Sequence, residues 1–237
     1  MDKAAVVADN YLFTGVPFDE IVELVSRSPV VRREPNNQIF KKGDPGDSMM
    51  AVLSGRVRIC CYSEEGKELT LNIIDRGSCF GEIALLDGES RTADAVAMET
   101  TELLVVSRQD FLPWLEAHPK TCLHLMEVLC ERLRRTSAQL EDTLFYEAPF
   151  RLARCLIRLN DSFGKPYEGG SLIDLKLSQQ RLGTLVGLTR ESTNKCLIEW
   201  QRDEIIDRVR GRIVILDREA LSLMGGMDDS GDWRDDF

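Results

Sequence analysis

Residues 80–97 run Phe80-Gly81-Glu82-Ile83-Ala84-Leu85-Leu86-Asp87-Gly88-Glu89-Ser90-Arg91-Thr92-Ala93-Asp94-Ala95-Val96-Ala97. They combine glycine for close backbone approach, amides at a short helical turn, one carboxylate and one arginine, which are the parts needed to hold a sugar phosphate. Arg91 can fork onto phosphate oxygens, and Glu82 can accept a hydrogen bond from a ribose hydroxyl. The competing use of the same residues is a structural ion pair between Arg91 and a nearby carboxylate.

A second group with chemical potential lies between Ser178 and Trp200, where two helical segments meet at Gly187 in a helix-turn-helix pattern. Ser178 and Thr189 suit the two N-caps, because each hydroxyl can satisfy free amide hydrogens. Arg190, Glu191, Asn194 and Lys195 fall at i, i+1, i+4 and i+5 and cluster toward one side of the second helix. Arginine matches guanine O6 and N7, glutamate accepts from the cytosine amino group, and lysine reaches guanine or phosphate. Ser178, Gln179, Arg208, Arg210 and Arg212 could position a phosphate backbone, although charge alone specifies no sequence. The alternative for the arginines is a solvated hairpin.

Positioning these groups requires three kinds of element. From about Val30 to Val106, short apolar runs alternate with glycine turns: Gln38–Phe40, Met49–Leu53, Arg56–Cys60, Leu69–Ile74, Ile83–Leu86 and Leu103–Val106. Such spacing predicts an all-β roll or barrel. Pro113 to about Glu147 predicts a long helix with Met126, Leu133 and Leu140 on one row and Leu129, Thr136 and Leu144 near the other, a near-heptad seam suited to a two-helix coiled coil. The alternative is an amphipathic helix packed on its own domain. A further helix over Phe150–Ser162 leads through Gly164-Lys165-Pro166 and Gly169-Gly170, which break regular structure, to a strand at Leu172–Leu175. After the helix-turn-helix, Ile205-Ile206 and Ile213–Leu216 flank Arg208-Val209-Arg210-Gly211-Arg212 and predict a β-hairpin wing. The expected division is a roll domain over 1–120, a dimerisation helix over 121–148 and a winged helix-turn-helix with an acidic tail over 149–237.

Composition narrows the function classes. At 237 residues and 43% hydrophobic content the chain can bury one or two cores. Residues 1–10 lack a secretory pattern, and no stretch approaches the roughly 20 apolar residues of a membrane helix, so a cytoplasmic protein with no membrane partner is expected. The seven cysteines contain no CxxC pair, which argues for reduced structural thiols rather than a disulfide framework or a zinc ribbon. No metal is expected. A net charge of −10 excludes a protein that coats nucleic acid over its whole surface, but leaves room for a local basic face. Part of the negative balance is the tail Asp228, Asp229, Asp232, Asp235 and Asp236, the kind of run that usually forms a solvated end.

The segment 80–97 closely resembles the phosphate-binding cassette of cyclic-nucleotide-binding domains, and the chain resembles the catabolite-activator (CRP/FNR) family of bacterial regulators. Gly43-Asp44, Gly46-Asp47 and Gly55 in the roll, Thr136-Ser137 in the long helix, and Thr189-Arg190-Glu191-Ser192-Thr193 carry the resemblance over nearly the whole chain, in the family's order. It implies an α+β protein with an N-terminal jelly roll, a long dimerisation helix and a C-terminal winged helix-turn-helix. Glu82 would then bind the ribose 2′-hydroxyl, Arg91 and Thr92 the cyclic phosphate, and the backbone around Gly81, Ile83 and Ala84 would contribute contacts. Thr136 would meet the purine from its own subunit and Ser137 from the partner. Thr189, Arg190, Glu191, Ser192, Asn194 and Lys195 would fall on the recognition helix, with Ser178, Gln179 and Arg210 on the backbone.

Two departures bear on specificity. Thr92 stands where cAMP-responsive bacterial relatives often carry Ser, and a threonine there is reminiscent of cGMP-dependent kinases; Lys195 stands where the catabolite activator has Arg. The Thr136-Ser137 pair favours cAMP, with cGMP or both as the alternative. The implied partners are double-stranded operator DNA, a second copy of the chain and, for an activator, RNA polymerase. An iron–sulfur sensor would need clustered cysteines near the N-terminus. The histidines His118 and His124 lie after the roll and suit surface or packing roles rather than haem ligation. A regulatory subunit of an enzyme could use the same nucleotide fold but has no need of a helix-turn-helix. No P-loop, HExxH or nucleophile–base pattern is present, so the chain is not expected to be an enzyme.

Overall fold

The computed structural model describes residues 2–226; the acidic tail Asp228–Asp236 lies outside the described residues. The chain divides into two compact units, Met1–Thr136 and Ser137–Phe237.

The first unit opens with α1 (Lys3–Ala8), a 3-10 turn (Tyr11–Phe13) and α2 (Phe18–Ser26), a helical cap that the sequence reading did not anticipate. Ile21, Leu24 and Val25 recur at helical spacing and are buried beside Met49, Ala51, Leu104 and Phe111. The roll follows as β1 (Val30–Arg33), β2 (Gln38–Phe40), β3 (Ser48–Ser54), β4 (Val57–Tyr62), β5 (Glu68–Ile74), β6 (Cys79–Phe80), α3 (Glu82–Asp87), β7 (Asp94–Ala97) and β8 (Thr101–Ser107). Its strands form two antiparallel sheets, ordered β1-β8-β3-β6 and β2-β7-β4-β5. Residues from both sheets, including Val52, Val57, Phe80, Ala95 and Leu103, build an apolar core between them. Fully burying a valine, leucine or phenylalanine side chain there stabilises by about 1.5–3 kcal/mol relative to exposure.

Two expectations for this unit need correction. Ile83–Leu86 is not a strand but the body of α3. Gly81 at φ 82° and Gly88 at φ 78° bracket it in left-handed conformations, so the run closes one and a half helical turns between two glycines. A four-residue apolar run carries no period that separates the two structures. The segment from Pro113 is also not one helix: α4 (Arg108–Ala117) contains Pro113, and α5 (Pro119–Phe145) starts anew. His118 between them sits at φ −123°, ψ 72°, as expected for a residue that a following proline steers away from helical geometry.

The second unit holds the last turns of α5, then α6 (Ala148–Phe163), β9 (Gly164–Tyr167), β10 (Gly170–Ile173), α7 (Gln179–Thr184), α8 (Arg190–Arg202), β11 (Ile206–Val209), β12 (Arg212–Ile215) and α9 (Arg218–Met224). The sheet order is β11-β12-β10-β9. The Gly-Pro cluster at 164–170, expected as a break, is the hairpin β9–β10, and the strand expected at Leu172–Leu175 runs over Gly170–Ile173. Pro166 is tolerated because β9 is an edge strand, where a missing amide hydrogen costs no ladder bond.

Asp142 on α5 is 3% exposed and accepts from Arg154 Nη1 at 2.7 Å and Arg158 Nη1 at 3.0 Å, both on α6. Arg154 Nε also donates to the Gly225 carbonyl after α9 at 2.7 Å, and its guanidinium lies over the rings of Phe150 and Tyr146. One buried arginine therefore ties three helices of this unit together.

Candidate nucleotide site and candidate DNA interface

The local chain path fixes Arg91 before any ligand is considered. The Gly43 amide donates to the Arg91 carbonyl and the Arg91 amide to the Asp44 carbonyl, each at 2.9 Å, joining the turn before β3 to the segment before β7. A Cβ on Gly46 would lie 2.1 Å from Ala84 Cβ, so only glycine lets this turn close over α3. Arg91 is 4% exposed; its Nη1 donates to the Gly81 carbonyl at 2.8 Å and its Nη2 to Ser48 Oγ at 3.0 Å. The guanidinium sits 4.3 Å from the centre of the Phe40 ring. Burial pulls its pKa below the ordinary arginine value, partly opposed by Asp47, Asp44 and Glu82. The Arg91 Nε is buried without a hydrogen-bond partner.

Glu82, the first residue of α3, is 3% exposed. Its Oε1 accepts from Arg132 Nη1 on α5, while Oε2 is buried with no partner. Arg132 Nη2 donates to the Cys79 carbonyl at 2.7 Å. The ion pair expected as a competitor for Arg91 thus exists for Glu82 instead, with a residue the sequence reading missed. Arg135, one helical turn beyond Arg132, was missed as well; its Nη1 donates to Asn72 Oδ1 on β5 at 3.0 Å. The available signal was the spacing of both arginines just before Thr136.

The structure brings Gly81, Glu82, Ala84 and Arg91 together around α3, with Ala84 buried and Ile83 41% exposed. Thr92 is exposed directly after Arg91. Thr136 and Ser137 are exposed on α5, and Thr136 Oγ1 donates to the Arg132 carbonyl at 2.8 Å.

On α5 the exposed apolar side chains Leu123, Met126, Leu133, Leu140 and Leu144 share a stripe with exposed Cys130 and Ser137, spaced alternately by three and four residues. Met126, Leu133 and Leu140 hold the row expected for them. The second row is Leu123, Cys130, Ser137 and Leu144, because Leu129 is half-buried.

In the second unit, Ser178 Oγ accepts from the Arg181 amide at 3.2 Å and Thr189 Oγ1 from the Ser192 amide at 3.1 Å, so both act as N-caps. Arg190, Glu191 and Lys195 are exposed along α8. Asn194 is half-buried and accepts from Gln179 Nε2 at 2.6 Å, joining α7 to α8. Ser192 accepts from the Thr189 hydroxyl at 3.0 Å. Arg210 and Gly211 form the two-residue turn of the wing at φ 50° and 80°, the type I′ geometry that matches strand twist. Arg212 pairs with Asp174 at 3.1 Å and Arg208 Nε donates to Gln201 at 2.9 Å. A cleft of ≈ 600 Å³ is lined by Ser178, Gln179, Arg190, Arg208 and Arg212 among others.

Among the described residues there is no His/Cys/Asp/Glu group that could hold a metal ion, no helix long and apolar enough to cross a membrane, and no disulfide between cysteines.

Comparison with known proteins matches both sites to family models. Residues 30–118 match the cyclic nucleotide-binding domain and residues 150–224 the Crp-like helix-turn-helix domain. The chain is 32% identical over 219 residues to a CRP-like cAMP-activated global transcriptional regulator of Mycobacterium tuberculosis, covering 92% of this chain and 97% of the relative. It is also 32% identical to the cyclic AMP receptor protein of Thermus thermophilus, over 90% and 94% of the two chains. Among solved structures, a CRP/FNR-family transcriptional regulator from Thermus thermophilus superposes with a TM-score of 0.66 at 29% identity, covering 84% of this chain and 98% of that one. FixK2 from Bradyrhizobium japonicum, at 20% identity and a TM-score of 0.74, shares the fold over 83% and 96%. With a cassette built around a buried arginine and glutamate, a capped helix-turn-helix, and relatives matched along nearly their full length, this chain belongs to the CRP/FNR family of transcription regulators and is not an enzyme.

Proposed function

We propose that the chain works in the cytoplasm as a homodimer whose affinity for pseudo-palindromic operator DNA is raised by a cyclic nucleotide, cAMP in the first place. The observation that carries this reading is the pair of buried charged side chains at α3: Arg91 and Glu82 each keep one polar atom without a protein partner, Nε and Oε2. Burying such an atom unsatisfied costs about 1–3 kcal/mol, which a sugar phosphate accepting from Arg91 and donating to Glu82 would recover. Thr92 would add its hydroxyl to the phosphate, and the backbone of Gly81, Ile83 and Ala84 would line the same pocket.

Thr136 supports cAMP over cGMP. Its hydroxyl proton goes to the Arg132 carbonyl, which leaves the oxygen as an acceptor for a 6-amino group rather than a donor for O6. Exposed Thr92 next to Arg91 favours the second reading, cGMP or both nucleotides.

The exposed three-four stripe of α5 is apolar apart from Ser137 and suits a parallel helix pair with a second copy. Ser137 would then face the partner. The reading keeps a roll over 1–120, a dimerisation helix over 121–148 and a DNA-binding domain over 149–237. Arg190, Glu191, Asn194 and Lys195 would read bases, with Ser178, Gln179, Thr189, Ser192 and Arg210 positioning the backbone. In a two-fold dimer the half-sites should lie about 34 Å apart. RNA polymerase enters as a partner if the protein activates.

The test is calorimetric titration of nucleotide-free protein with cAMP and with cGMP, with and without a palindromic operator, alongside Arg91→Ala. Linkage requires that DNA tighten the effector by the factor by which the effector tightens DNA. Tighter cAMP binding on DNA, lost in Arg91→Ala, supports the reading. The same behaviour for cGMP alone moves it to the second ligand, and binding of neither refutes the sensing half.

A further inference from the structure

We propose that Arg135, held in place by Asn72, reads N7 of the nucleotide base, so that the site admits purine cyclic nucleotides and disfavours pyrimidine ones. The proposal rests on the nucleotide-site reading above and assigns a base-reading residue within it.

Arg132 and Arg135 are three residues apart on α5, a spacing that puts both on one face of the helix. Arg132 reaches Glu82 and the Cys79 carbonyl, and Arg135 reaches Asn72 on β5, so this face of α5 looks onto the roll beside the cassette. A nucleotide with its phosphate on Arg91 and its ribose on Glu82 extends its base onward from Glu82. The side chain that meets Glu82 there comes from α5, and Arg135 is the next cation along that face.

Asn72 makes Arg135 a defined donor rather than a wandering one. Asn72 Oδ1 accepts from Arg135 at 3.0 Å and from the Ile73 amide at 2.9 Å. With both lone pairs of that oxygen engaged, the amide cannot rotate freely, and the bond it accepts restricts where the guanidinium can point. Guanidinium donors lie in one rigid fork, so anchoring one of them aims the others.

The acceptor that such a donor meets on both adenine and guanine is N7; the cytosine and uracil rings have a carbon–hydrogen at the corresponding edge. Arg135 would therefore separate purine from pyrimidine, while the acceptor oxygen of Thr136 discriminates at the 6-position. Asn72 is a positioning residue acting through Arg135.

The experiment compares cAMP with 7-deaza-cAMP, which lacks only the N7 acceptor, by calorimetry on the full-length wild type, Arg135→Ala, Asn72→Ala and Arg91→Ala. A hydrogen bond from a charged donor predicts that 7-deaza substitution weakens wild-type binding roughly tenfold or more. Arg135→Ala should bind the two ligands equally, Asn72→Ala should show a reduced ratio, and Arg91→Ala should weaken both without changing their ratio. Because the readout is a ratio within each variant, a general loss of affinity or stability does not imitate it. Equal binding of both ligands by the wild type, or an undiminished penalty in Arg135→Ala, overturns the assignment. If the wild type binds neither cAMP nor cGMP, the nucleotide reading itself fails and this assignment falls with it.

Discussion

Arg132 Nη1 donates to Glu82 Oε1, and the same guanidinium donates through Nη2 to the Cys79 carbonyl at 2.7 Å. The carboxylate proposed to bind ribose is thus held from behind by the long helix, with one oxygen engaged and the other left over. Arg132→Met should leave Glu82 buried without its cation. Since the Arg132 side chain is 29% exposed and partly screened, a stability loss near the lower end of about 1–3 kcal/mol is expected, together with weaker cAMP binding. Denaturant unfolding and calorimetry on the same variant check both. Unchanged nucleotide affinity would mean that Arg132 is dispensable for orienting Glu82.

Leu133 is 68% exposed at the centre of the α5 stripe. Leu133→Asp places a charge in the proposed helix seam, which should shift the protein from dimer to monomer at micromolar concentration in sedimentation experiments. A dimer of unaltered strength would locate the interface elsewhere.

Asp142 receives two arginines while its side chain is 4% exposed, and the Arg154 side chain is 7% exposed. Asp142→Ala removes the carboxylate that two arginines share, one of them deeply buried, and should cost about 3–5 kcal/mol. The loss should appear in the unfolding of the DNA-binding unit, followed by fluorescence in a background where Trp114 and Trp233 are replaced by phenylalanine, leaving Trp200 as the reporter. A double change, Asp142→Leu with Arg154→Met, should recover much of it, because the buried charge leaves along with its partner.

His118 joins the end of α4 to α2: its two ring nitrogens face the Trp114 carbonyl and the Glu20 carboxylate, both acceptors. Burial pulls the imidazole pKa down, but the bonds to Trp114 and Glu20 outweigh it and the net shift is upward from 6.5. A raised folded-state pKa means that the stabilisation is fully present below about 6.5 and fades as pH rises through the folded value. The melting temperature of the wild type should fall over that window more than that of His118→Gln. Parallel pH profiles would show that His118 carries no linkage.

Arg190 is exposed on α8, one residue after the Thr189 cap. Arg190→Ala should cost about 1–3 kcal/mol at one base position per half-site and relax specificity there. A uniform loss across operator variants would instead mark Arg190 as a phosphate contact.

The glycine-punctuated apolar runs of the roll, the capping hydroxyls of Ser178 and Thr189, and the Gly-bearing turns were legible because each reflects a local rule: a period, a cap, a left-handed backbone. Local rules fall silent where two structures satisfy them equally. Ile83–Leu86 is four apolar residues between glycines, and only closure of the chain at Gly81 and Gly88 makes it a helix. Pro166 and the surrounding glycines signal a break, yet the strand survives because β9 lies at a sheet edge.

Arg91 and Glu82 could be named as candidates from residue type and spacing, and the resemblance to cyclic-nucleotide-binding domains supplied the roles expected of them. Pairings across elements could not: Arg132 stands 50 residues from its partner Glu82, and Asn72 lies 63 residues from Arg135. Nor could the second row of the α5 stripe, which depends on Leu129 being half-buried while Cys130 and Ser137 stay exposed. Short-range sequence encodes which groups are available and what backbone carries them, whereas the pairing of charges across elements, and the face a helix leaves uncovered, are set by which surfaces the completed fold removes from water.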